Sequence, residues 1–108
     1  MDWNEYRKDV LRTAAPADEA ESLIIAALGL TGESGEFSEL IKKYAFHGHQ
    51  LDTDNAKEEL GDVFYYWTLA ADKLGLTFEE ILAANVEKRA ARYPNGFTHQ
   101  DSLRRADV

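Results

Sequence analysis

Apolar and polar positions along this chain repeat at helical spacing almost from end to end. From Asp2 to about Ala14, Trp3, Tyr6 and Val10 recur at three and four with Leu11 beside them, which predicts a short amphipathic helix. Its expected role is to cover a core; the alternative for Trp3 is contact with a ligand. Pro16 breaks the pattern or opens the next helix. Asp18, Glu19 and Glu21 favour a helix N-terminus by charge. A second helix follows from about Ala17 to Phe46, where Gly29, Gly32 and Gly35 predict a bend or local unwinding. His47-Gly48-His49 begins a solvent-facing loop that can rim a substrate site. With no cysteine and no third placed histidine, it does not read as a zinc site.

Asp52 or Thr53 caps a third helix that runs to Leu74 and ends at Gly75. Thr77-Phe78-Glu79-Glu80 then forms a capping box, with Leu76 and Ile81 placed as a hydrophobic staple. The fourth helix reaches about Tyr93 and is stopped by Pro94-Asn95-Gly96. Residues 98–108 read as a loose, polar tail. Such short connections join antiparallel neighbours, so the expected fold is all-α: an antiparallel bundle of about four helices. At 108 residues the chain suffices for one domain with a core, 1–108, including an N-terminal helix over 1–15.

The third helix is apolar on much of its circumference. With Glu59 at 0°, Val63, Phe64, Trp67, Ala71 and Leu74 fall between about 40° and 140°, while Tyr65 and Leu69 fall at about 240° and 280°. A helix apolar on two sides is buried from two sides, which predicts a homodimer with this helix in or near the interface.

Composition narrows the choices. Hydrophobic residues make up 44%, which argues against disorder. The net charge of −8 argues against nucleic acid and against an anionic membrane surface as partners. No run is long and apolar enough to span a membrane, and no basic-then-apolar leader begins the chain, so a cytoplasmic protein is expected.

The acidic residues are not scattered. Glu33 and Glu36, and again Glu59 and Asp62, stand at i, i+3, so each pair shares a helix face. With Glu33 at 0°, Leu30, Phe37, Ile41 and Tyr44 lie between about 20° and 80°, and Glu36 at about 300°. Asp62 edges the third helix's stripe in the same way, at about 300° from Glu59. Four carboxylates at the edges of two facing helices repel one another unless a cation sits among them. Hard divalent ions with oxygen ligands, Mg²⁺ or Mn²⁺, suit that set. Glu33, Glu36, Glu59 and Asp62 are therefore the expected metal ligands, and Glu39 and Glu58 lie further out. Gly29, Gly32, Gly35 and Gly61 each cost about 0.5–1 kcal/mol inside helical pattern, which predicts a close approach to the backbone there. Lys43 lies on the carboxylate side, where it meets a phosphate or pairs with Glu39. On the fourth helix Asn85, Lys88 and Arg92 recur at three and four, a basic, amide-bearing face suited to a polyphosphate or to surface ion pairs.

Gly-Glu-Ser-Gly-Glu-Phe-Ser-Glu-Leu followed by Glu-Glu-Leu-Gly-Asp-Val resembles the Glu-x-x-Glu … Glu-x-x-Asp signature of the all-α nucleoside triphosphate pyrophosphohydrolases, and among them the short MazG-like proteins. The resemblance runs from about Leu28 to Phe97 and includes Ala-Asp-Lys-Leu-Gly-Leu and Arg-Tyr-Pro-Asn-Gly-Phe. It implies Mg²⁺-dependent hydrolysis of a nucleoside triphosphate to a monophosphate and pyrophosphate. Glu36, Glu39 and Glu59 are then the candidate general bases, and Tyr66, Asn85, Lys88 and Arg92 candidate contacts to the nucleotide. It also implies a homodimer or homotetramer. The aromatic loop motif of dCTP pyrophosphatases is missing, so cytosine specificity is not expected. The competing reading is a non-catalytic helical interaction module with an acidic metal-binding face. A di-iron bundle would need Glu-x-x-His, and no histidine stands three residues after Glu33, Glu36 or Glu59.

Overall fold

Each helix of the protein starts where a short oxygen-bearing side chain can take up an unpaired backbone N–H. The structure, a computed structural model, describes residues 1–105. Its helices are α1 (Trp3–Thr13), α2 (Glu19–Phe46), α3 (Thr53–Lys73), α4 (Phe78–Arg92) and α5 (His99–Arg104). Asp18, Asp52, Thr77 and Thr98 accept from the N–H three residues on, at 2.8, 3.0, 3.1 and 3.0 Å. At α1 the box is complete: Asp2 accepts from Glu5 N–H at 2.9 Å and donates its own N–H to the Glu5 carboxylate at 3.3 Å. Gly75 and Gly96 adopt φ of 71° and 88° at the ends of α3 and of the turn after α4. The chain is all-α, with no strand among the described residues.

The described chain divides into two compact units, Met1–Gly75 and a second beginning at Leu76. In the first, α2 and α3 lie antiparallel along one another. Ala26 packs with Leu69, Gly29 meets Tyr66, and Glu33 reaches Glu59, so one number falls as the other rises. The glycines do not unwind α2, which is helical over all 28 residues. One close approach is internal: a Cβ on Gly29 would strike the Tyr66 ring, whereas at Gly32, Gly35 and Gly61 it would meet no atom within 4 Å.

α1 crosses α3 and closes the core. Val10, Ala26 and Leu69 form its centre, with Tyr6, Leu11, Tyr65, Tyr66 and Ala70 packed against them. A row of rings continues it: Tyr6 stacks on Phe64 at 5.3 Å, Phe64 on Trp67 at 5.2 Å, and Trp3 stands edge-on to Trp67 at 6.3 Å. The buried Trp3 donates from Nε1 to Thr68 Oγ1 at 3.1 Å, so it serves the core and not a ligand. Arg7 pairs with Asp72 at 2.6 Å near the far end of α3.

Two expectations change here. Leu69 does not face a partner copy: it is 4% exposed, covered by α1 and α2. Tyr65 is half-buried and its hydroxyl bonds Thr13 Oγ1 at 3.1 Å. The wheel showed that α3 is apolar on two sides, and α1 covers the second. The tail is also not uniformly loose, because α5 forms over His99–Arg104; residues 106–108 lie outside the described residues. In the second unit neither α4 nor α5 contains a buried residue, and Tyr93, Phe97 and His99 make successive ring contacts at 5.3 Å. No helix among the described residues is long and apolar enough to cross a membrane.

Candidate active site

Antiparallel packing of α2 on α3 brings the two acidic pairs together, because each pair sits at the edge of the face its helix buries. Glu33, Glu59 and Asp62 offer carboxylate oxygens that all lie within 4.8 Å of one another. Glu33 and Glu59 are half-buried, and the Oε2 of each is enclosed without a hydrogen-bond partner. Enclosed carboxylate oxygens left unpaired are costly. Desolvation raises the Glu33 carboxyl above its usual pKa, helped by the charges of Glu36 and Asp62. Desolvation likewise raises Glu59, followed by the charges of Glu36, Glu33 and Asp62. An all-oxygen donor set, mutually repelling and with two enclosed oxygens unpaired, fits a hard divalent cation. Glu36 is exposed and stands outside the triad, yet its charge is felt by both raised carboxyls.

Beside the triad lies an open cavity of about 490 Å³, lined by Glu36, Glu39, Leu40 and Lys43 of α2, His49, Gln50 and Asp52 of the loop, and Asn55 and Glu59 of α3. Lys43 thus faces the cavity, and it is Lys42 that pairs with Glu39, at 3.0 Å. That pairing, first through its hydrogen bond and then through charge, holds the Glu39 carboxyl below its usual pKa. Glu58 is exposed and does not line the cavity. Tyr66 is absent from the lining too; its ring packs on Gly29 and the core.

Asn85, Lys88 and Arg92 lie on α4, in the second unit. Asn85 and Lys88 are exposed; the Asn85 Oδ1 accepts from Arg89 Nε at 2.9 Å, and the Arg92 guanidinium lies over the Tyr93 ring at 5.1 Å. Sequence reasoning missed Gln50 and Asn55. Asn55 stands one turn before Glu59 on the same edge of α3, which was a usable signal. Gln50 sits in a loop, and nothing in the spacing marks it.

These features define a helical protein with an acidic face able to hold a divalent cation beside a polar cavity. The chain belongs to the MazG family: the MazG nucleotide pyrophosphohydrolase domain matches residues 21–97. It is also similar to the Gene 37 protein of Mycobacterium phage L5, at 30% identity over 87 residues covering 77% of this chain and 76% of that one. No solved structure matches the chain.

Proposed function

We propose that the protein hydrolyses a nucleoside triphosphate between the α and β phosphates, giving a monophosphate and pyrophosphate, with Mg²⁺ as cofactor and Mn²⁺ as a substitute. The observation that carries this is the pair of enclosed, unpartnered oxygens on Glu33 and Glu59, beside a cavity of about 490 Å³. Glu33, Glu59 and Asp62 would hold the ion, with Glu36 at the margin. When bound, the ion would offset phosphate charge and make an attacking water more acidic. Lys43 supplies a positive charge on the cavity wall for the phosphates. Glu36 or Glu59 takes the proton of the attacking water. Glu39 is the weaker base, because Lys42 holds its carboxylate.

The test is a panel of triphosphates with Mg²⁺, the products separated by chromatography. Monophosphate and pyrophosphate are expected, with turnover lost in chelator and in Glu36→Gln. Orthophosphate with a diphosphate would overturn the reaction type, and a wild type that hydrolyses no triphosphate would favour a non-catalytic interaction module.

The active form is proposed to be at least a homodimer. Ile24 and Leu28, one turn apart on α2, are 59% and 70% exposed, and Leu60 of α3 is 53% exposed. Unlike Leu69, these side chains are left largely uncovered among the described residues. Light scattering should give a mass of two chains or more, and Leu28→Asp should lower it without loss of helix. A monomeric wild type with full activity would refute it.

A further inference from the structure

We propose that the loop joining α2 to α3, together with the first turn of α3, reads the nucleoside end of the substrate through hydrogen bonds from Gln50 and Asn55. The proposal rests on the pyrophosphohydrolase reading above and extends it to specificity.

The cavity runs along both helices away from the carboxylates. On α2 its lining passes from Glu36 to Lys43, two turns or about 10 Å on. On α3 it passes back from Glu59 to Asn55, and His49, Gln50 and Asp52 close the far wall. If the phosphates lie at the carboxylate end, the wall at the loop meets what they carry.

The chemistry of that wall suits a neutral, hydrogen-bonding group. Its charges are mixed: the Lys43 ammonium, which serves the phosphates in the reading above, is accompanied by the Glu39 and Asp52 carboxylates. The Asp52 carboxylate is already engaged, accepting the Asn55 N–H at 3.0 Å. The lining holds no Phe, Tyr or Trp; its one ring is the His49 imidazole, next to Gln50. Gln50 and Asn55 remain, and their side-chain amides make no hydrogen bond among the described residues. Each carries two donors and an acceptor, the complement of a base edge or a sugar.

The wall is also held in place. The N–H groups of His47 and His49 both donate to the Lys43 carbonyl, at 3.0 and 3.2 Å. Gly48 lies between them at φ 73°, a left-handed conformation that a side chain would strain. Asp52 then starts α3 and fixes Asn55. The backbone that carries the two amides is thus tied on both sides, at the Lys43 carbonyl and at the Asp52 cap, which lowers the cost of ordering it.

The experiment compares Gln50→Ala and Asn55→Ala with wild type on triphosphates of differing base, with inorganic tripolyphosphate as a competitor that lacks a nucleoside. Both positions are exposed, so the variants should fold. Each should raise KM about two- to tenfold and flatten discrimination between bases, as the loss of one hydrogen bond predicts. Turnover at saturation should stay within about twofold, and tripolyphosphate inhibition should not change. A parallel loss of tripolyphosphate affinity would overturn the proposal, because the wall would then hold phosphate. Unchanged KM ratios among bases would overturn it as well, while leaving the reaction intact. A wild type that neither hydrolyses triphosphates nor binds tripolyphosphate with Mg²⁺ would refute the underlying reading, and this one with it.

Discussion

Replacing Gly29 by alanine should destabilise the protein, although alanine is the better helix former. Gly29 lies inside α2, and an added Cβ would overlap Cγ, Cδ1 and Cε1 of Tyr66. These atoms are the root of the ring, not the far end of a flexible side chain. The ring has little room to turn, since Tyr66 packs against the Val10–Ala26–Leu69 core and Tyr65 stands edge-on to it at 5.1 Å. Two effects then oppose one another. Better helix propensity contributes about 0.5–1 kcal/mol. Forcing a methyl group into a filled site costs about 1–3 kcal/mol. The second is larger, so a net loss of up to about 2 kcal/mol follows.

Gly35→Ala isolates the first effect, because its Cβ would meet nothing within 4 Å. The two variants should therefore differ by about 1–3 kcal/mol, or about 4–20 °C in Tm for a domain of this size. Thermal melting of metal-free protein followed by circular dichroism measures this directly. Tyr66→Ala should remove most of the penalty, since the two residues touch and their effects should couple. A Gly29→Ala protein that melts at or above Gly35→Ala would refute the close packing of α2 on α3. Gly29 stands one turn before Glu33, so the same displacement should weaken Mg²⁺ binding.

Three further outcomes follow from the same geometry. Glu59→Gln should raise the Tm of metal-free protein by relieving repulsion with Glu36, Glu33 and Asp62, and should abolish stabilisation by Mg²⁺. In wild type that stabilisation is about 2.7 kcal/mol at a hundredfold excess over Kd, and an equal Mg²⁺ response in both proteins would sink the cluster. The raised Glu33 and Glu59 carboxyls stabilise the metal-free fold below the usual carboxyl value of 4.5, and this contribution is lost as pH rises through their raised values. Mg²⁺ affinity should run the other way, increasing over the same range as protons leave; calorimetric titration that shows no pH dependence would contradict it. Leu69→Ala should cost about 2–5 kcal/mol in denaturant unfolding by opening a cavity among α1, α2 and α3, and a cost below 1 kcal/mol would return Leu69 to the surface.

What the sequence made legible is local. Asp52, Gly75 and Thr77 marked helix ends because a cap or a left-handed residue is recognised by its own chemistry, whatever lies around it. The acidic pairs were legible for a related reason: i, i+3 spacing fixes a shared face, and an apolar stripe beside it turns that face toward a neighbour. Which neighbour is not encoded in the spacing. Leu69 therefore read as an interface residue, when α1, far away in the chain, covers it. Gly29 shows the same limit from the other side. Its conformational cost was visible as a close approach to the backbone, but the spacing did not name the approaching group, which is the Tyr66 ring of α3. At Gly32, Gly35 and Gly61, which carry the same signal, an added Cβ would meet no atom of the described residues within 4 Å beyond the local helix backbone. A glycine's cost thus says that something sits close or that room is needed, and only the packing says which. The cavity wall lies furthest from local reasoning, because Lys43, Gln50 and Asn55 meet only once α2 and α3 are in register. That register is set by Ala26 on Leu69 and Gly29 on Tyr66, the contacts that also place Glu33 opposite Glu59. The same small residues that let the helices approach therefore decide whether the carboxylates can share an ion at all.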